Sequence, residues 1–188
     1  FFLLQSVGIV PSAKLLPFFD KVPVEHRGKL YDAVKKRVEA EASDAAMAAR
    51  YLQEVEKGME ATSVGKKFQN FELDNVRGGK VLLSDVVFED RYTLVLFWAG
   101  WQEGIKEQLA VLSSAYGRYK ASGLQVVGVS LDSDVDVCKA LADELSISWL
   151  QLCNPSGGSA EVAAAYGVAT LPAAVLVNKK GTVIARMS

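Results

Sequence analysis

The sequence predicts an α/β domain over residues 63–188, preceded by a helical segment over residues 1–62. Three observations support this division. Apolar residues recur at helical spacing as far as Met59. At Val64-Gly65 the texture changes to alternation. Beyond it, short continuous apolar runs alternate with amphipathic stretches, which implies βαβ units with right-handed crossovers around a parallel sheet.

The helical segment begins after Pro11-Ser12, where Leu15, Leu16, Phe18 and Phe19 are grouped. A second pattern follows Pro23: Tyr31, Val34 and Val38, then Met47, Tyr51 with Leu52, Val55 and Met59. The Ala- and acid-rich stretch between them favours helix, and Ser43-Asp44 offers a cap for a fresh start. Two to four helices are expected, each packing one apolar stripe.

In the second part, Phe68, Phe71 and Leu73 precede Asn75-Val76-Arg77-Gly78-Gly79, and Val81-Leu82-Leu83 follows. Two short strands around a Gly-rich turn make a hairpin. Tyr92–Trp98 and Leu124–Leu131 read as strands buried on both faces. A helix is expected between them, from about Gln102 to Lys120, with Ile105, Leu109, Leu112 and Tyr116 on one side; Ser122-Gly123 closes it. Asp132-Ser133-Asp134 caps a helix to about Leu145, Trp149–Cys153 is a strand, and Ser159–Tyr166 is a helix stopped by Gly167. Ala173–Asn178, the turn Lys179-Lys180-Gly181 and Thr182–Arg186 form a closing hairpin.

Composition excludes several classes. The net charge is −1, which gives no reason to expect nucleic acid or an anionic membrane as partner. Lys35-Lys36-Arg37 is flanked by acids and reads as a solvated helix face. No stretch approaches the roughly 20 apolar residues of a membrane helix, and the Phe1–Leu4 run breaks off at Gln5-Ser6. The chain lacks an initiating Met and reads as a fragment. A single histidine, His26, supports no metal site and reads as a surface residue. Cys138 and Cys153, the two cysteines, do not make a disulfide scaffold. Cys138 shares a helix face with Leu141, Ala142 and Leu145 and reads as a buried thiol; Cys153 ends a strand and is expected near a rim.

Five motifs in order carry a resemblance. They are Val64-Gly65 with Phe68, Phe71, Leu73, Gly79-Lys80 and Leu83-Ser84-Asp85; Phe97-Trp98-Ala99-Gly100-Trp101; Val127–Asp132; Tyr166-Gly167-Val168 to Leu171-Pro172; and the strands around Val177-Asn178 and Gly181. Residues 64–188 resemble the thioredoxin superfamily. Within it they resemble thiol–disulfide oxidoreductases of the TlpA/ResA kind, in the AhpC/TSA (redoxin) grouping. The resemblance implies a thioredoxin fold, with a central mixed sheet flanked by helices and a cis bond before Pro172. It also implies a periplasmic or cell-envelope location. The chain stops just after the closing hairpin, where that fold places a final helix. The sheet face left there is expected to be covered by residues 1–62 or by a second copy, unless the parent protein carries that final helix.

The resemblance also marks departures. Gln102 and Ile105 stand where the family's two cysteines belong, Leu109 replaces a proline, and Ala173 replaces a threonine, while Glu107 keeps the place of a helical Glu. Thiol exchange needs a thiolate at a helix N-terminus and a second thiol within a turn. A Gln amide does not ionise and Ile offers no lone pair. Glu103, at the expected helix start, reads as an acid facing the positive helix end. Trp98 reads as core. Trp101 is either an exposed remnant or part of a recognition surface.

The expected function is therefore a redox-inactive binding domain. It would hold a peptide or protein partner at Trp101, Gln102, Glu103, Leu171 and Pro172, without cofactor or metal. Homo-oligomerisation stays open. The alternatives are a thiol oxidoreductase or peroxidase using Cys153 or Cys138, and a structural module.

Overall fold

The computed structural model of the chain describes residues 10–27 and 29–187. The expectations for the Phe1–Leu4 run, the His26 side chain and Ser188 lie outside the described residues. The chain forms two compact units, one ending at Leu52 and the other running from Gln53.

The first unit contains helix α1 (Ser12–Phe19), a 3-10 turn (Val24–His26) and the larger part of helix α2 (Lys29–Ala61). Leu15, Phe19, Tyr31 and Val38 form its core. The Phe19 and Tyr31 rings lie 5.6 Å apart, and the Tyr31 hydroxyl donates to the Phe19 carbonyl at 2.7 Å. Ser12 Oγ donates to Glu41 Oε2 at 2.7 Å. An eight-residue helix is only about 12 Å long, so α1 reaches along α2 no further than Glu41-Ala42. The expected apolar stripe therefore stays buried only at Tyr31, Val38 and Ala42 in this unit; Met47, Tyr51 and Leu52 are exposed. Ser43-Asp44 does not restart a helix, because α2 runs through it unbroken on strong helix formers.

The second unit opens with the last turns of α2. Gly58 is buried there, and a Cβ on it would fall 2.0 Å from the Ala164 carbonyl oxygen. Strands β1 (Glu72–Asp74) and β2 (Lys80–Leu82) form the expected antiparallel hairpin. Helix α3 (Leu83–Glu89) follows at once, where the sequence pattern continues a strand. Its start is fixed from afar: the Ser84 N–H donates to Asn70 Oδ1 at 2.9 Å. Then come β3 (Tyr92–Trp98), α4 (Ile105–Tyr119), β4 (Leu124–Ser130), α5 (Val135–Glu144), β5 (Leu150–Cys153), α6 (Gly158–Ala165), β6 (Ala173–Asn178) and β7 (Val183–Met187).

The five-stranded sheet has the order β5-β4-β3-β6-β7. β3, β4 and β5 are parallel, while β6 and β7 run antiparallel to their neighbours. The sheet is thus mixed, as the resemblance implies, rather than parallel throughout. The central strands β3 and β4 are buried on both faces, which explains their unbroken apolar runs. One face packs Val95, Phe97, Val127 and Val175 under Tyr166. The other packs Leu96, Trp98, Val126 and Cys138 with Ile105 and Leu109 of α4. Beside α4 this second face carries an apolar groove of about 400 Å³, bounded by Leu94, Val111, Leu112, Leu176 and Met187.

Helix α4 begins at Ile105, not at Gln102. Gly104 has φ +74°, a left-handed conformation that cannot continue an α-helix backwards. Trp101–Gly104 therefore form turns ahead of the helix.

Candidate functional site

The topology brings two distant segments to one end of the sheet. β3 runs up to Trp98, in register with Ser130 of β4, which is in register with Cys153 of β5. β6 runs the opposite way, with Ala173 opposite Phe97. Its leading residues, Leu171-Pro172, thus lie where the loop after β3 emerges. Crevices at the carboxyl ends of parallel strands are the usual ligand sites of such sheets.

The loop is pinned at its root. Gly100 N–H donates to both carboxylate oxygens of Asp132, at 2.9 Å each, and Ser130 Oγ donates to Asp132 Oδ2 at 2.7 Å. A Cβ on Gly100 would sit 3.1 Å from Val137 and 3.4 Å from the Asp132 carboxylate, so a side chain there crowds this contact. Asp132, read from sequence as part of a helix cap, instead holds the loop; Asp134 is the cap, accepting from Asp136 N–H at 2.9 Å. No local signal separates the two roles, because Asp132's partner lies 32 residues away.

The expected site residues divide as follows. Trp98 is fully buried and its indole N–H donates to Gln151 Oε1 at 3.1 Å. Trp101 is 71% exposed. Glu103 is exposed in the turn before α4, so it does not sit in the first helical turn; Glu107 does. Ile105 and Leu109 are buried against the sheet. The Leu171–Pro172 peptide bond is cis, as the resemblance implies. Gln102 is half-buried, and its Nε2 donates to the Leu171 carbonyl. Its Oε1 is buried without a hydrogen-bond partner among the described residues. Gln102, Leu171 and Pro172 are thus brought together. The sequence pattern missed Gln108, Val111 and Met187, which with Glu107 and Pro172 line a shallow groove beside this edge. Their helical and strand spacing marks them only as surface positions.

The thiols lie beneath. Cys153 is buried despite its place at a strand end, because its Sγ packs against the Asp132 carbonyl at 3.6 Å. It is therefore not on the rim. Cys138 is buried in the same cluster, on the face expected for it. Burial pushes the Cys138 thiol up to about 12, and pushes Cys153 up as well; the Ser130 hydroxyl beside them opposes the shift in part. Both thiols are free. Among the described residues no group of His, Cys, Asp and Glu is arranged to hold a metal ion. None of the described helices is long and apolar enough to cross a membrane.

This arrangement of hairpin, mixed sheet, loop and Leu171-Pro172 edge has known counterparts. The model of the AhpC/TSA family matches residues 64–186. The chain belongs to the AhpC/TSA family. Among the family's thiol–disulfide oxidoreductases, ResA of Bacillus thuringiensis subsp. konkukian (strain 97-27) is 25% identical over 125 residues, which is 66% of this chain and 69% of that protein. The structure of a thiol-disulfide oxidoreductase from Bacteroides fragilis NCTC 9343 superposes with a TM-score of 0.59 at 34% identity, covering 64% of this chain and 89% of that one. The C-terminal domain of a Bacteroides thetaiotaomicron protein described as a thiol-disulfide oxidoreductase gives 0.60 at 29% identity, covering 67% and 87%. The second unit is accordingly a thioredoxin-like domain.

Proposed function

We propose that this member of the AhpC/TSA family works by binding an extended peptide or protein segment at its Trp101/Leu171-Pro172 edge, without thiol–disulfide exchange at the loop after β3. One observation carries the reading: Gln102 contacts the Leu171 carbonyl from the loop position where the resemblance expects a thiol. Ile105, at the second position, is packed into the core. The Leu171 carbonyl thus serves as a hydrogen-bond acceptor at this edge, and the loop carries an exposed indole, an amphipathic ring suited to partner contact. The family resemblance adds a periplasmic or cell-envelope location.

Catalysis through Cys138 or Cys153 is disfavoured. The thiolate is the nucleophile, and burial holds both groups protonated near neutral pH.

Two measurements test the proposal together. Purified protein should show no dithiol-dependent reduction of insulin. It should bind reduced, carboxymethylated insulin B chain, a generic unfolded polypeptide, and Trp101→Ala should weaken that binding about fivefold or more. Insulin reduction at the rate of a cysteine-bearing relative overturns the proposal, as does binding that is indifferent to Trp101.

A further inference from the structure

The contact between Gln102 and Leu171 spans 69 residues of sequence and joins the two halves of the edge described above. Its chemistry is specific. An extended polypeptide lying along this edge would offer backbone N–H groups to carbonyls such as that of Leu171. A primary amide N–H is the same kind of donor. Gln102 therefore already supplies, from within the chain, what a ligand would bring.

Three further features bear on what this contact does. Gln102 spends one of its two amide N–H groups inward, on the Leu171 carbonyl that a partner would otherwise meet. Its other arm is stranded: Oε1 is buried with no partner among the described residues. An amide held by both arms would be a fixed strut; this one is held by a single arm. Moving it outward loses one hydrogen bond and returns the stranded acceptor to water, so the two effects oppose each other. The loop that carries it is tethered at Gly100, while Gln102 itself is held by weaker bonds: its N–H donates to Ala99 O at 3.2 Å and its carbonyl accepts from Ile105 N–H at 3.3 Å, at or just beyond the long end of the usual range. Gly100 and Gly104 flank it. Gly104 is glycine for its φ of +74° and not for lack of room, since the nearest atom to an added Cβ would be Gln108 Nε2 at 3.9 Å.

We propose that Gln102 is a displaceable latch, an internal stand-in for a ligand's peptide N–H that caps the Leu171 carbonyl until an extended polypeptide replaces it. The proposal rests on the binding function put forward above and gives Gln102 a sign within it. Gln102 opposes binding, whereas a recognition residue would favour it.

The test compares the wild-type chain with Gln102→Ala and Gln102→Glu. Ala removes the donor. Glu keeps the length of the side chain but presents only acceptors to the Leu171 carbonyl. The probe is reduced, carboxymethylated insulin B chain, followed by fluorescence anisotropy. Both variants should bind it about fivefold tighter than wild type or better, as expected for removal of one competing hydrogen bond. In 15N-labelled wild-type protein, the Gln102 side-chain amide should be protected from exchange when free and lose that protection at saturating probe. Equal or weaker binding by both variants overturns the latch while leaving the binding function standing. A Gln102 amide that exchanges freely in the unliganded protein overturns the latch by itself. If wild type and both variants all fail to bind the probe, the binding function fails, and the latch fails with it for want of anything to exclude.

Discussion

Arg186 of β7 donates from Nη1 to the Thr62 carbonyl at 3.0 Å and to Thr62 Oγ1 at 2.5 Å, across 124 residues. Its Nη2 donates to the Tyr166 carbonyl at 2.6 Å. Thr62 follows the last residue of α2, and Tyr166 follows the last residue of α6. One guanidinium thus closes two helix C-termini, where unpaired carbonyls and the negative dipole end favour a cation. Arg186→Met should cost about 1.5–3 kcal/mol, the range for hydrogen bonds to a charged group, read from urea unfolding. Arg186→Lys should recover only part of that, because an ammonium lacks the planar fork that serves both carbonyls.

Gly58 makes a second prediction with a contested sign. In an exposed helix interior, Gly→Ala is stabilising by about 1 kcal/mol. Here the added Cβ would meet backbone of Ala164 and Ala165, at 2.0 Å and 2.7 Å, and backbone cannot swing aside. Overpacking should win, and Gly58→Ala should destabilise by about 1–3 kcal/mol. A thermal melt of the variant at or above the wild-type midpoint would show that α2 and α6 are not in contact as described.

These two residues show where sequence reading stops. The strands, the closing hairpin and the turns at Gly123, Gly167 and Gly181 were legible, because buried runs and left-handed glycines leave local signatures. Gly58 and Arg186 leave none: each is explained by a partner more than 100 residues away. The same holds at the site. The meeting of Leu171-Pro172 with the loop after β3 is readable through family resemblance. The Asp132–Gly100 tether and the Gln102–Leu171 contact are set by strand order. Periodicity starts α4 three residues early because Gly104, inside an otherwise helical pattern, gives no local sign of its left-handed backbone. In the first unit, Met47, Tyr51 and Leu52 have helical spacing, but periodicity does not say how far a partner helix reaches.

The buried thiols predict a pH dependence. In the folded chain Cys138 keeps its proton up to about 12, while an unfolded cysteine loses it near 8.5. Above about pH 8.5 the unfolded state binds fewer protons than the folded one, so stability falls as pH rises towards 12. Below pH 8 both states are protonated and this contribution is flat. The loss from Cys138 should be roughly 2 kcal/mol between pH 7 and pH 10, and Cys153, also pushed up by burial, acts in the same direction. Tyr166, pushed up by burial, adds the same sign at still higher pH. Urea unfolding at pH 7, 9 and 10, with and without Cys138→Ala, isolates the effect. A Cys138→Ala variant that loses as much stability as wild type over this range would refute it. At pH 7.5 the native protein should resist a thiol reagent that modifies both cysteines after unfolding.

The last prediction installs two thiols in the loop after β3, which carries no cysteine. Gln102 and Ile105 are three positions apart, spanning the turn into α4, and Ile105 is the first residue of that helix. Gln102→Cys would place a thiol just ahead of the helix N-terminus, where unpaired N–H groups favour a thiolate. Ile105→Cys would place the second thiol within one turn of it. Ile105 is buried among Leu96, Trp98 and Leu109, so its loss should cost about 1–3 kcal/mol through the cavity left behind. The double variant should therefore be less stable than wild type when reduced and regain stability on oxidation, because closing a loop constrains the unfolded chain. Oxidised protein should be lighter by the mass of two hydrogens and should be reduced by dithiothreitol, and the reduced form should reduce insulin where wild type does not. Gln102→Cys alone should give a reactive thiol, against which the two buried native cysteines stay silent. If the double variant forms no disulfide while remaining folded, the left-handed turn at Gly104 holds positions 102 and 105 too far apart for one.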